Sequence, residues 1–145
     1  MFVERPVREA ELAFLNAPFR DDGWVGAIRQ LAFATKSSVA QLCGGGTGPT
    51  LSFNLFSEER DDPHGHLVNP ALYGAENWRI NCASGGSGSI QDERHYGAYR
   101  RAHRTDFYDD AVSDLDLPFG CQSPLIIDSG GLIGLALLRS SRPIA

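Results

Sequence analysis

Two apolar segments near the C-terminal end, joined by a glycine turn, constrain the fold more than any other part of the sequence. CQSPLIID at 121–128 and LIGLALLR at 132–139 flank a Ser-Gly-Gly turn at 129–131. This arrangement predicts a β-hairpin. The second segment is apolar on both faces, which predicts a central strand covered by a helix. Pro124 lacks the N–H that a strand ladder uses, so we expect an edge or a bulge in the first strand.

A second hairpin is predicted nearer the N-terminus. SVAQLC at 38–43 is typical of a strand, and TLSFNLF at 50–56 alternates apolar and polar residues as a half-buried strand does. The glycine-rich GGGTGP at 44–49 between them predicts a loose turn. A chain that opens with an antiparallel pair differs from the parallel βαβ start of a Rossmann domain.

The remaining segments predict helices and loops. Apolar spacing predicts helices over about 7–15, 22–36 and 90–105, the last with Ser89 as its N-cap and Asp92 completing a capping box. ENWRINCA at 76–83 predicts a short strand or a buried extended segment, and 106–118 an acidic, turn-rich region with room for one helical turn. We therefore expect one α+β domain over 1–145, with a single antiparallel sheet and helices packed on one face of it.

Charge and composition exclude several classes of function. The chain has 145 residues, a formal net charge of −5 and a single lysine, Lys36, so the domain alone is a poor candidate for binding DNA. The basic cluster from Arg94 to Arg104 falls on a predicted helix and indicates a solvated face. Charged residues interrupt the N-terminus, and no apolar run reaches the roughly 18 residues of a membrane span. A cytoplasmic location without a membrane partner is expected.

Three cysteines, Cys43, Cys82 and Cys121, stand 39 residues apart. That odd number and wide spacing match neither a metal knuckle nor a CxxC pair, so we expect free, mostly buried thiols. DDPHGH at 61–66 indicates a polar surface loop rather than a metal site. No catalytic residue, metal or cofactor is predicted.

Aromatic residues give the candidate ligand site. Tyr96, Tyr99 and His103 share one stripe of the predicted helix 90–105, with Phe107 just beyond it, and Trp78 lies in the extended segment. Buried polar tips need partners, since each unpaired one costs about 1–3 kcal/mol. These five residues therefore predict a ligand cavity between this helix and the sheet, with Asn81 or Gln122 as further polar partners. An ordinary core with amphipathic edge residues is the alternative.

Both ends of the chain carry a family resemblance. HYGAYRRAHRTDFYDDAVSDLDLPFGCQSPLIIDSGGLIGLALLRSSRP and DDGWVGAIRQLAFATKSSVAQLC, roughly residues 95–142 and 20–43, resemble the N-terminal sensor region of bacterial LuxR-type helix-turn-helix regulators. The resemblance implies a PAS/GAF-like sensor fold, a homodimer, and DNA binding only through a C-terminal domain expected to be absent from this chain. The pocket pattern of the lactone-binding branch is not matched, so no lactone-binding residues are assigned.

Together these observations predict a ligand-sensing regulatory domain of a LuxR-family transcriptional regulator that binds a small molecule and is not an enzyme. Two alternatives stay open. One is a GAF-like thiol enzyme such as a methionine sulfoxide reductase, which needs a low-pKa thiolate in an exposed pocket. The other is a purely structural dimerisation module with a filled core.

Overall fold

The computed structural model describes residues 4–45, 53–59, 61–66, 79, 88–102, 106–128 and 131–142. The helices of these residues are α1 (Arg5–Asn16), α2 (Gly23–Thr35), α3 (Glu93–Ala102) and α4 (Asp106–Asp114), and a 3-10 turn at Ala17–Phe19 joins α1 to α2. The strands are β1 (Val39–Gly45), β2 (Phe53–Phe56), β3 (Phe119–Asp128) and β4 (Gly131–Arg139). Within this part of the chain, no helix has the length and apolar character needed to cross a bilayer.

The four strands form one antiparallel sheet in the order β2-β1-β4-β3. The predicted α+β class with a single antiparallel sheet is therefore confirmed, and both predicted hairpins are present. β4 lies between β1 and β3, as its two apolar faces predict. The register of β3 shifts between Pro124 and Ile126, so the proline lies beside a bulge, because it has no N–H for a ladder bond.

Residues 88–91 extend the sheet beyond β3 instead of starting a helix. Gln91 and Gln122 form an antiparallel bridge, with N···O distances of 2.9 and 2.8 Å, and the Gly88 amide donates to the Pro124 carbonyl at 2.7 Å. Ser89 is therefore not the N-cap that was predicted. Asp92 takes that role, because its Oδ1 accepts from the Arg94 amide at 3.0 Å at the start of α3.

One face of the sheet, which we call the aliphatic face, packs against α1 and α2. Ile28 and Ala32 of α2 meet Ala40 and Leu42 of β1, and the cluster is completed by Phe14, Leu55, Ile133, Leu135 and Leu137. Here α2 approaches the 3-10 turn so closely that a Cβ on Gly23 would lie 2.2 Å from the Ala17 carbonyl oxygen. This layer is an apolar core.

The opposite face, which we call the polar face, is covered by the chain that follows α4. Leu115 and Leu117 pack there against Val39 and Leu138, next to Phe56 and Ala136. The expectation that all cover lies on one face is wrong, because β4 is apolar on both sides and each side must be shielded from water.

Two local predictions in the central part of the chain are also wrong. The acidic region after position 105 contains a nine-residue helix, α4, instead of turns. Tyr108 and Ala111 in α4 and Leu115 directly after it are buried, at helical steps of three and four, and this spacing outweighs the many aspartates between them. Arg79 is helical where an extended segment was expected.

Candidate functional site

The polar face presents a row of amide side chains. In β1, Ala40 and Leu42 point to the aliphatic face, so Gln41 and Cys43 point to the other side. Direct strand partners project to the same side, which aligns Gln91, Gln122, Ala136 and Gln41 across the sheet. The Gln41 amide donates to Oδ1 of Asn54 at 2.7 Å. The result is a floor of polar and small side chains in which hydrogen-bonding groups are concentrated.

Arg79 lies buried against this floor, with 6 % of its surface exposed. Its Nη1 donates to the Tyr108 hydroxyl at 3.3 Å, and its Nη2 donates to the carbonyls of Leu117 and Pro118 at 3.2 and 3.1 Å. The guanidinium carbon lies 5.7 Å from the ring centre of Tyr96 and 5.9 Å from that of Tyr108. Carbonyl acceptors and aromatic faces thus compensate a buried positive charge.

The backbone around Arg79 is fixed from the sheet side as well. Nε2 of Gln122 donates to the Arg79 carbonyl, and the Tyr96 hydroxyl donates to the Gln91 carbonyl at 3.1 Å. Arg79 therefore links α3, α4 and β3 in one polar cluster. Such a cluster of hydrogen-bonding groups and aromatic rings is suited to orienting a small polar ligand.

The five predicted site residues have different outcomes. Tyr96 is buried between α3 and the sheet, where the cavity was predicted, and Tyr99 lies one turn further along α3, half-buried. Phe107 belongs to α4, but its side chain lies outside the described residues, as do Trp78 and His103 altogether.

Their expected polar partners differ from the observed ones. Gln122 does lie in the cluster, but it bonds to the Arg79 backbone, and the partner of Tyr96 is the Gln91 carbonyl. Asn81 lies outside the described residues.

The sequence analysis missed Arg79, Gln91 and Gln41. A signal existed for two of them. Arg79 stands between Trp78 and Ile80 in ENWRINCA, and a charge flanked by apolar residues indicates a group that is buried only if it is bonded. In SVAQLC, the alternation of Gln41 and Cys43 with Ala40 and Leu42 indicates one polar face. Gln91 had no local signal, because its position depends on pairing with a strand 31 positions away.

The cluster is continuous with the end of β4. Asp116, which has a left-handed backbone with φ of 52°, accepts hydrogen bonds from the amide and hydroxyl of Ser141 at 3.1 and 2.6 Å and from the Ser140 hydroxyl. These bonds lower the pKa of Asp116 to about 2. The next two residues, Leu117 and Pro118, carry the carbonyls that accept hydrogen bonds from Arg79. Residues 116–118 therefore join the polar cluster to the end of β4.

The described thiols are poor nucleophiles at neutral pH. Burial raises the pKa of the Cys43 thiol to about 11. Burial and the nearby Asp92 also raise the pKa of Cys121. Among the described residues, no group of three or more His, Cys, Asp and Glu side chains is placed to hold a metal ion.

The DDPHGH segment is anchored to the helical layer. Nε2 of His66 lies 2.9 Å from Oδ2 of Asp114, and the His66 amide donates to Oδ1 of Asp62 at 2.9 Å. The two imidazole rings of His64 and His66 lie 5.8 Å apart. These contacts account for the polar residues of the segment as a surface loop held against α4.

A separate cleft of about 430 Å³ lies between α1 and α2, open to solvent and lined partly by Glu9, Asn16 and Arg20. It is distant from the polar face, because α2 and the sheet stand between them. No family model matches the chain, and comparisons with curated proteins and with solved structures also gave no match.

Proposed function

We propose that this chain is a ligand-sensing domain of a LuxR-type transcriptional regulator, and that a small molecule binds between the polar face and the layer that contains α3, α4 and Arg79. The observation that carries the proposal is the contrast in that layer: a buried arginine with two tyrosines stands over a floor of amides. Buried polar groups cost free energy unless each is bonded, so this cluster supports a role in positioning groups more than a role in stability.

The order of elements supports the PAS/GAF-like part of the proposal. Two helices, a β-hairpin, a short extended segment, further helices and a second β-hairpin follow one another along the chain. This is the layout expected for PAS and GAF sensors from the sequence. The element order is compatible with a sensor domain but does not by itself assign a ligand.

Residues 116–118 provide a route from the ligand to an attached domain. Arg79 holds the carbonyls of Leu117 and Pro118, while Asp116 holds Ser140 and Ser141 at the end of β4. A ligand that changes the position of Arg79 changes the anchoring of the segment where a DNA-binding domain would be attached. The ligand acts only if it binds the two arrangements with different affinity.

The high pKa values of Cys43 and Cys121 favour the sensor over the thiol-enzyme alternative. A catalytic thiolate needs a lowered pKa and access to substrate, whereas burial raises the pKa of both thiols. The homodimer and the cytoplasmic location remain predictions. Size-exclusion chromatography with light scattering tests the first of them.

The test of the proposed function is a fragment screen followed by amide NMR of the ¹⁵N-labelled protein. We expect the hits to shift the amide signals of Gln41, Gln91 and Gln122, and to bind at least tenfold more weakly to Gln41→Leu than to wild type. The matched control is Arg29→Gln, which removes a contact to the Ser57 carbonyl away from the polar face and should leave the affinity unchanged.

Two outcomes contradict the proposal. Hits that shift only residues around the α1–α2 cleft would place the binding site elsewhere. A screen without any hit would favour the structural dimerisation module with a filled core.

A further inference from the structure

Gln91 carries a buried acceptor that no described residue uses. The side chain is 5 % exposed, and its Nε2 donates to the Ser89 hydroxyl at 2.7 Å. Its Oε1 exposes less than 1 Å² to solvent and has no hydrogen-bond partner in the described part of the chain. A buried acceptor in this state costs about 1–3 kcal/mol. A domain that keeps such an oxygen on its proposed binding face tolerates a penalty that a suitable donor would remove.

The position of Gln91 places this oxygen at the edge of the polar floor. Gln91 is the direct antiparallel partner of Gln122, so the two side chains project to the same face of the sheet. The Tyr96 hydroxyl donates to the backbone carbonyl of the same residue. Tyr96 is therefore bonded to the same residue that carries the unused acceptor.

We propose that Oε1 of Gln91 accepts a hydrogen bond from the ligand, which is an uncharged molecule with an N–H or O–H donor, such as an amide, an indole or an alcohol. This inference rests on the proposed function. A lone acceptor selects for a donor and disfavours a carboxylate placed at the same point.

The charges of the described strand residues favour a neutral ligand. The described strand residues that project from the polar face include no carboxylate to pair with a cation. Arg79, the cation beside the floor, already directs its two terminal nitrogens to a hydroxyl and two carbonyls. A neutral donor satisfies Gln91 and leaves these bonds in place.

Because the oxygen is closed off from water, the ligand must displace neighbouring protein atoms to reach it. Binding therefore includes a local opening, and a binding step that requires a conformational change is slower than simple docking. The opening also gives the ligand a means of acting on the protein, since the ligand-bound arrangement differs from the free one.

The experiment uses the full chain and matched pairs of neutral probes: indole with 1-methylindole, and octanamide with N,N-dimethyloctanamide. Each pair differs in whether the nitrogen carries a donor. We expect the donor-bearing member of a pair to bind wild type about tenfold more tightly, the factor that corresponds to 1.4 kcal/mol. Isothermal titration calorimetry gives the dissociation constants.

Gln91→Met removes the acceptor at similar size, and in this variant the ratio within a pair should fall below about threefold. The matched control is Gln30→Met, an exposed glutamine of α2 outside the proposed binding site, which should keep the tenfold ratio. Without ligand, Gln91→Met loses the bond to the Ser89 hydroxyl together with the unpaired oxygen, so its melting temperature should lie close to that of wild type.

The possible failures are distinguishable. Equal binding of donor and methylated probes to wild type, or a tenfold ratio that persists in Gln91→Met, overturns the role of Gln91 and leaves the proposed function standing. If no probe binds, the result contradicts both the role of Gln91 and the proposed function. If Gln91→Met does not fold, Gln91→Leu replaces it, and the ratio measured on wild type tests the donor requirement without any variant.

Discussion

The two faces of the sheet are built from the same strands but differ in their chemistry. On the aliphatic face, Ala40 and Leu42 pack against Ile28 and Ala32 of α2 in a continuous apolar core. On the polar face, Val39 packs against Leu115 and Leu117, while Gln41 and Cys43 of the same strand add an amide and a thiol. A buried arginine, Arg79, is bonded there to Gln122 of β3. The aliphatic face is an apolar core, and the polar face carries bonded groups that we propose bind a ligand. The predictions below test this division of roles.

The largest expected effect is a difference in stability between variants of two neighbouring residues of β1. Leu42→Ala removes a side chain that is 6 % exposed in the aliphatic core, and we expect it to lower the free energy of unfolding by about 2–5 kcal/mol. Gln41→Ala, one position away on the polar face, removes one hydrogen bond and should cost about 0.5–1.5 kcal/mol. Urea denaturation measures both. Equal losses would show that the two faces contribute alike.

The second prediction concerns the glycine contact that brings α2 onto the aliphatic face. Gly23→Ala places a Cβ 2.2 Å from the Ala17 carbonyl oxygen, so we expect a loss of about 1–3 kcal/mol from overpacking. Gly26→Ala in the same helix meets no atom within 4 Å and should stabilise by about 0.5–1 kcal/mol, because alanine favours helix. Thermal unfolding of the two variants measures both changes in stability. A Gly23→Ala variant as stable as wild type would show that the contact between α2 and the 3-10 turn tolerates a Cβ.

The third prediction extends the polar face to the end of β4. Arg79→Gln removes donors to Leu117 and Pro118, so Asp116 should hold Ser141 less firmly. We expect hydrogen exchange of the Ser141 amide, followed by NMR, to rise about tenfold, as a weakening of 1.4 kcal/mol implies. As a control, Arg29→Gln removes another contact between an arginine and a carbonyl, that of Ser57. It should leave the exchange rate of the Ser141 amide unchanged. If the exchange rate of the Ser141 amide is unchanged in Arg79→Gln, residues 116–118 do not couple Arg79 to the end of β4.

The smallest effect is expected at the thiol of the polar face. With Cys82→Ser and Cys121→Ser in place, Ellman's reagent at pH 8 should label Cys43 only slowly, and quickly once urea unfolds the chain. Folding raises the pKa of Cys43 from 9.0 to about 11, so the native state binds the extra proton between these values. Stability should therefore fall as the pH rises from about 9 to about 11. Rapid labelling of the folded protein would favour the thiol-enzyme alternative.

The sequence by itself determined the parts of this fold that depend on local pattern. Period-two alternation and glycine turns located both hairpins, apolar spacing located α1 and α2, and the missing N–H of Pro124 indicated the bulge in β3. The α+β class follows from the order of these elements. Tyr96 was also placed against the sheet, because its helix has one apolar stripe.

Only the tertiary structure decided which residues share the polar face. Arg79 meets Tyr96, Tyr108 and the Leu117 carbonyl across 17, 29 and 38 positions of sequence, and Gln91 belongs to the sheet because the distant Gln122 pairs with it. Local propensity favoured a helix N-terminus at Ser89, but the strand bonds of residues 88–91 outweighed it. The physical reason is that burial and strand pairing are properties of the folded chain, and a short sequence window contains neither.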